Sequence, residues 1–270
     1  MATLVCFHAH PDDEALQTGG TIARAAAEGH RVILVVATGG EHGETPADLA
    51  DGESLADRRR AEAEKSAVAL GIERVAWLGY RDSGMTGWEQ NGHPDAFMNA
   101  DVEEAATRLA TILREENADV VTTYDWHGNY GHPDHIGVHR VGHRAAELAG
   151  TPNVYEATIN RDAVARAMDT ARASGMDVPD FGSEDSPNTD DGNPFGMAES
   201  ELTTFVDVGA YVSHKREALR AHTSQIGADS FFFSMPDAAF EIMFGTEWFI
   251  RKGADAGYKE DWLGGLGSAV

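Results

Sequence analysis

One cysteine in 270 residues leaves no partner for an intrachain disulfide, which agrees with a reducing compartment. That residue, Cys6, sits inside an apolar strand pattern and reads as inert core. Basic side chains are scarce: 21 Lys and Arg stand against 45 Asp and Glu, for a formal net charge of −24. This balance excludes the phosphate-neutralising surface of a nucleic-acid binder and argues equally against docking on an anionic membrane. It reads instead as solubility or a high-salt habitat. No apolar run approaches the roughly 20 residues that span a bilayer. The N-terminus lacks a basic leader and enters a strand pattern at once, which points to a cytoplasmic protein without a signal peptide. No His-Glu-x-x-His helix occurs, and Gly39-Gly40 lacks the spacing of a dinucleotide fingerprint. Metalloproteases and nicotinamide oxidoreductases are therefore weak readings.

What the chain does have is alternation. Strand patterns over 3–8, 31–37, 74–78, 119–124 and 153–159 are separated by helix periods over 15–29, 54–70, 101–117 and 134–149. Gly29, Gly71 and Gly150 stand where a left-handed helix cap belongs. The pattern predicts an α/β fold, a Rossmann-like and mostly parallel sheet flanked by helices. Residues 1–160 form the core of one domain spanning 1–270. A helix is expected over 160–173, then an acidic loop or insertion over 174–200 rich in Asp, Gly, Ser, Pro and Asn. The extension 201–270 forms part of the pocket, with a strand over 203–208 and a helix over 211–222. The run Phe231-Phe232-Phe233 reads as a buried strand or a wall packed on the core.

In open α/β sheets ligands bind beyond the carboxyl ends of the strands. Two similar clusters fall there: His10-Pro11-Asp12-Asp13-Glu14 after the first strand, and His132-Pro133-Asp134-His135 after the fourth. Taken alone, a His-Pro-Asp triplet reads equally as a capped helix start. Two of them after neighbouring strands could close around one divalent ion. Pro11 forces a turn that lets His10 and Asp13 face the same side. Pro133 suits a first helical position and allows His132, His135 and His139 to share a face. His10, Asp13 and His135 would supply two nitrogens and a carboxylate, a set that suits Zn2+ and also Fe2+ or another divalent metal.

Ala9-His10-Pro11-Asp12-Asp13-Glu14 together with His132-Pro133-Asp134-His135 resembles the signature of the LmbE-like, or PIG-L, family of zinc-dependent N-acetylglucosaminyl deacetylases. The likeness runs over residues 3–160. Arg81-Asp82-Ser83-Gly84-Met85 and Tyr130-Gly131-His132 look most like the actinobacterial mycothiol branch, which holds a deacetylase and a conjugate amidase. The resemblance implies that His10, Asp13 and His135 bind the metal and that Asp12 is the general base for the attacking water. It implies that His132 stabilises the oxyanion, that Asp134 orients His132 in a charged pair, and that Tyr130 swings toward the substrate carbonyl. Arg59, Asp82 and Glu41 would hold sugar or inositol hydroxyls. Plain alternatives remain at this stage: a salt bridge for Arg59 within the row Arg58-Arg59-Arg60, a turn cap for Asp82, and a solvated loop acid for Glu41.

The implied reaction is hydrolysis of an N-acetyl amide on a small amino-sugar substrate, with release of acetate. The alternatives are an amidase acting on a larger thiol conjugate and a non-catalytic metal- or sugar-binding protein. Oligomeric state is left open by the sequence.

Overall fold

The computed structural model describes residues 1–173, 189–255 and 257–267. Strands β1 (Thr3–His8), β2 (Arg31–Thr38), β3 (Arg74–Tyr80), β4 (Val120–Tyr124), β5 (Asn153–Thr158), β6 (Thr204–Asp207) and β7 (Thr246–Arg251) form one sheet in the order β3-β2-β1-β4-β5-β7-β6. The first five run parallel, and β7 pairs antiparallel with both β5 and β6. The helices are α1 (Asp13–Gln17), α2 (Gly19–Ala27), α3 (Leu55–Leu70), α4 (Val102–Glu115), α5 (Gly128–Gly131), α6 (Pro133–Ala149), α7 (Arg161–Ala173), α8 (Val212–Ala221), α9 (Phe231–Ser234) and α10 (Asp237–Phe244). Among the described residues no helix is long and apolar enough to cross a membrane.

Strands buried on both faces read as continuous apolar runs. All six residues of β1 and all five of β4 are buried, and the two strands are adjacent, with Leu4 opposite Val120. The chain leaves β1 outward through β2 and β3, then crosses back to β4, so the order of strands reverses between β1 and β4. Both His-Pro-Asp clusters follow these two strands at that reversal. Helix α6 lies close against β4: a Cβ on Gly142 would stand 2.7 Å from Thr123 Oγ1. Cys6 is fully buried, and burial pushes its thiol pKa up to about 12, so it is inert core.

Two expectations are corrected. The single helix over 15–29 is two helices that meet at Thr18, where the hydroxyl bonds His8 Nε2 at 2.9 Å and the Glu14 carbonyl at 3.4 Å. Phe231-Phe232-Phe233 is no strand: the Ser230 side chain accepts the Phe232 N–H and starts the short helix α9. Phe232 and Phe233 pack on the core while Phe231 is exposed. Strand β7 was not anticipated. The acidic loop expected over 174–200 falls outside the described residues up to 188.

Candidate metal centre

At the reversal point, Asp13 Oδ2 accepts the His10 backbone N–H at 2.8 Å. The same oxygen lies 3.4 Å from His10 Nδ1 and 3.4 Å from His135 Nε2. The other nitrogen of each ring is already committed. His10 Nε2 is 3.1 Å from Asp134 Oδ2 and 3.6 Å from Asp82 Oδ1, and His135 Nδ1 is 3.2 Å from the Gly128 carbonyl. A carboxylate or carbonyl behind each imidazole places its proton on the rear nitrogen and leaves a lone pair on the front one. Asp134 is itself fixed by the Ser83 N–H at 2.9 Å and by the Ser83 hydroxyl. Two front-facing nitrogens and one carboxylate oxygen, each braced from behind, form a donor set that fits one divalent cation. Ring nitrogens of His10, His132 and His135 also lie within 4.8 Å of one another. His132 differs, however, because its Nδ1 accepts the Asp134 backbone N–H at 3.1 Å and caps α6.

Charge reinforces this fit. Burial opposes the charged form of His10, but Asp82, Asp13 and Asp134 outweigh it and hold the ring well above its ordinary pKa. Burial likewise opposes ionisation of Asp13 and Asp82, yet the facing histidines hold both carboxyls well below the usual range. Three carboxylates therefore crowd one imidazole, and a divalent cation would take the place of the second ring proton that this field favours.

The expected charged pair between Asp134 and His132 is not formed. The side chain of Asp134 goes to Ser83 and His10 instead. Burial, then the nearby His10 and His135 rings, push the His132 pKa down to about 2. With Nδ1 accepting a backbone N–H, His132 is a neutral ring whose proton sits on Nε2.

Asp12 stands at the N-cap of α1 but makes no side-chain cap bond, and it holds a φ of 106°, rare for a residue with a Cβ. Strained backbone of this kind persists only where its surroundings over-determine it. Arg59 supplies part of that constraint. It is buried, bonding the Pro11 carbonyl at 2.6 Å, the Gly40 carbonyl at 2.7 Å and Asp12 Oδ2 at 3.2 Å. Arg58 pairs with Glu53 and Asp48 near the surface, and Arg60 is exposed over Trp77. Burial raises the Asp12 carboxyl pKa to about 6, opposed first by Arg59.

A second cluster behind Asp12 was not anticipated. Glu14, fully buried, accepts the Asp12 N–H on Oε2 at 2.9 Å. Its Oε1 takes Ser66 Oγ at 2.5 Å and His222 Nε2 at 2.7 Å. Burial opposes the charged forms, but their mutual attraction prevails: His222 is raised and Glu14 lowered. The residues after His222 are tied down as well. Buried Glu62 accepts Ser224 N–H at 2.8 Å and Ser224 Oγ at 2.6 Å, and Gln225 brackets the Glu44 backbone with bonds of 2.9 and 3.0 Å. No local pattern announces this cluster, since its partners are separated by up to 208 residues.

The remaining expected residues lie around this centre. Tyr130 Oη is 3.4 Å from His135 Nε2. Tyr130 belongs to the tight elbow α5, where Gly131, at φ 86°, abuts the Asp191 backbone. Asp82 caps its own turn through the Gly84 N–H at 2.8 Å and reaches the His42 N–H at 3.0 Å. Glu41 is half-buried on the loop after β2, and its buried Oε2 has no hydrogen-bond partner among the described residues. Asp125 holds the elbow by accepting the His127 and Asn129 N–H groups and the Thr158 hydroxyl, and makes no bond to His135.

Residues 5–146 match the family model described as PIG-L: GlcNAc-PI de-N-acetylase. A 1D-myo-inositol 2-acetamido-2-deoxy-alpha-D-glucopyranoside deacetylase from Acidothermus cellulolyticus is 40% identical over 262 residues, covering 92% of this chain and 88% of that protein. Among solved structures, the N,N'-diacetylchitobiose deacetylase from Pyrococcus horikoshii superposes with a TM-score of 0.59 at 26% identity, over 92% of this chain and 83% of that one. GalB, a 4-carboxy-2-hydroxymuconate hydratase from Pseudomonas putida, superposes with a TM-score of 0.58 at 16% identity, covering 96% and 100%. The last likeness is one of fold alone, and it shows that this architecture also carries a different chemistry.

Proposed function

The chain belongs to the PIG-L family, and from that premise we propose that it removes the acetyl group from an N-acetylglucosaminyl inositol glycoside. It is a deacetylase, hydrolysing an N-acetyl amide on an amino sugar. The substrate follows from the name of the relative that shares 40% of its residues. The observation that carries the mechanism is Asp13 Oδ2, 3.4 Å from both His10 Nδ1 and His135 Nε2, with the neighbouring Asp12 carboxylate held by Arg59 at 3.2 Å and not used as a helix cap. His10, Asp13 and His135 would hold zinc or another divalent metal, which would supply a Lewis acid for the amide carbonyl and lower the pKa of water toward about 7.

Within that frame the side chains divide the work. Asp12 takes the proton from the attacking water and returns it to the leaving amine, and a pKa near 6 suits both transfers. Arg59 moves from the sugar to the base: its three bonds fix Asp12 and the turn that carries it. His132 offers Nε2–H to the developing oxyanion as a neutral donor, a contribution of about 100- to 1000-fold in rate. The Tyr130 hydroxyl stands beside His135 as a second donor. Asp134 holds His10 rather than His132. Asp82 and Glu41, on the loops beyond β3 and β2, would accept sugar hydroxyls, Asp82 in addition to the Gly84 and His42 N–H groups it already holds.

The test is acetate release from N-acetylglucosaminyl-inositol, N,N'-diacetylchitobiose and a bulky thiol conjugate of glucosaminyl-inositol, with metal content measured. The inositol glycoside should be cleaved fastest, and a chelator should abolish turnover. Preference for the conjugate would replace the substrate, and full activity after complete metal removal would overturn the mechanism.

A further inference from the structure

Outside this centre the fold brings together His139 and His143, one turn apart on α6, and Glu156 on β5. Ligand atoms of the three lie within 4.8 Å of one another. His143 Nε2 is 2.7 Å from Glu156 Oε1, and His139 Nδ1 is 3.8 Å from the same oxygen. The Tyr124 backbone carbonyl completes the group, accepting the His139 Nδ1 proton at 2.9 Å, and an ion bound here would shift that proton to Nε2. The two rings lie with centroids 4.5 Å apart. Donor atoms on a shell of about 2.1 Å radius are spaced by about 3.0 Å in an octahedron and 3.4 Å in a tetrahedron, and the three separations here bracket those values.

We propose that His139, His143 and Glu156, with the Tyr124 carbonyl, form a second binding site for a divalent transition metal, separate from the centre at Asp13. Two imidazoles at i and i+4 on a helix with a carboxylate from a neighbouring strand suit zinc, copper or nickel better than the hard ions calcium and magnesium. All three side chains are half-buried, with side-chain exposures of 23, 16 and 15%. His10 and His135, by contrast, are buried. This second site therefore exchanges its ion with solvent more readily. It is also linked to the first. Tyr124, which gives its carbonyl to His139, stacks its ring 4.6 Å from that of His135 and bonds His8 through its hydroxyl at 2.7 Å. An ion at the second site braces the end of β4 against which the first site is built.

The experiment is equilibrium dialysis of the 270-residue chain against micromolar zinc, with metal per chain read by inductively coupled plasma mass spectrometry. The wild type should hold two ions; His143→Gln and Glu156→Gln should each hold one. Asp13→Ala should also lose one, and Asp13→Ala combined with His143→Gln should hold none. Circular dichroism verifies that each variant is folded. A cobalt titration of the wild type needs no variant and should show a second equivalent with its own visible absorption. The proposal is overturned if the wild type saturates at one ion, or if His143→Gln and Glu156→Gln hold as many ions as the wild type. An unchanged count in Asp13→Ala would instead overturn the reading of the first centre and leave the second standing.

Discussion

Asp13 places one carboxylate oxygen 3.4 Å from each of two imidazoles whose other nitrogens are committed elsewhere, whereas its neighbour Glu14 has both oxygens taken, by His222, Ser66 and the Asp12 N–H. Both are buried carboxylate-imidazole clusters, and they flank the same residue, Asp12. In front, the Asp13 oxygen meets two ring nitrogens and the acceptors stand behind the rings, so the cluster suits a cation. Behind, both Glu14 oxygens already meet donors, so that carboxylate has none left for an ion and acts as a buttress. The comparison teaches that histidine beside carboxylate does not define a metal site. What decides is whether the carboxylate has an oxygen left for the ion.

The largest expected effect comes from removing the base between the two clusters. Asp12→Asn should lower kcat by about 100- to 10,000-fold while the metal content stays at the wild-type value. Retained turnover would move the base to another residue. Breaking the rear cluster should act on stability instead. His222→Gln leaves Glu14 buried without its counter-charge and should cost about 3–5 kcal/mol in denaturant unfolding, with metal still bound by the folded chain. An unchanged midpoint would show that the buttress carries no load. Within the front cluster, Asp134→Asn removes the acceptor behind His10 and should weaken metal affinity by about 10- to 100-fold, as measured by competition with a chelator. Loss of oxyanion stabilisation with affinity intact would restore Asp134 to His132.

The gentlest probe is pH. The raised His222 contributes stability that is full below its ordinary value of 6.5 and is lost as pH rises through its elevated folded value. The lowered Glu14 contributes stability that is full above its ordinary value of 4.5 and is lost as pH falls through its depressed one. The pair therefore supports the fold most between about 4.5 and 6.5. Urea midpoints of the wild type should exceed those of His222→Gln by most in that window. A difference that is flat with pH would place the pair's charge in doubt.

The parallel half of the molecule was legible because its signals are contiguous. Runs such as Leu4–Phe7, buried on both faces, and Ser54 and Gly71 bounding α3 can be read within a few residues. The twin His-Pro-Asp motifs were legible for the same reason, each sitting at the end of its own strand. What escaped depends on distance along the chain. Glu14 and His222 carry no mark of their pairing, and neither does Ser83, which takes Asp134 across 51 residues. The row of three arginines hid which one turns inward, since successive helical residues point about 100° apart and only Arg59 faces Asp12. Strand β7 was missed because only Glu247 and Phe249 of its residues are buried, and the first is an acid, so no apolar run announces it.

The Glu14–His222 bond also has a consequence for how the protein is made. The base and two proposed ligands are translated just ahead of Glu14, yet the side chain that buttresses them is 208 residues behind it. At the usual synthesis rate of about 5–20 residues per second, that interval is roughly 10–40 s. Throughout it the front half of the site is translated but unbuttressed, with Asp12 under no obligation to hold its left-handed backbone. Completion of the site waits for the tail, so a chain truncated before His222 would carry every residue proposed for the chemistry and still lack the contact that sets the base in place.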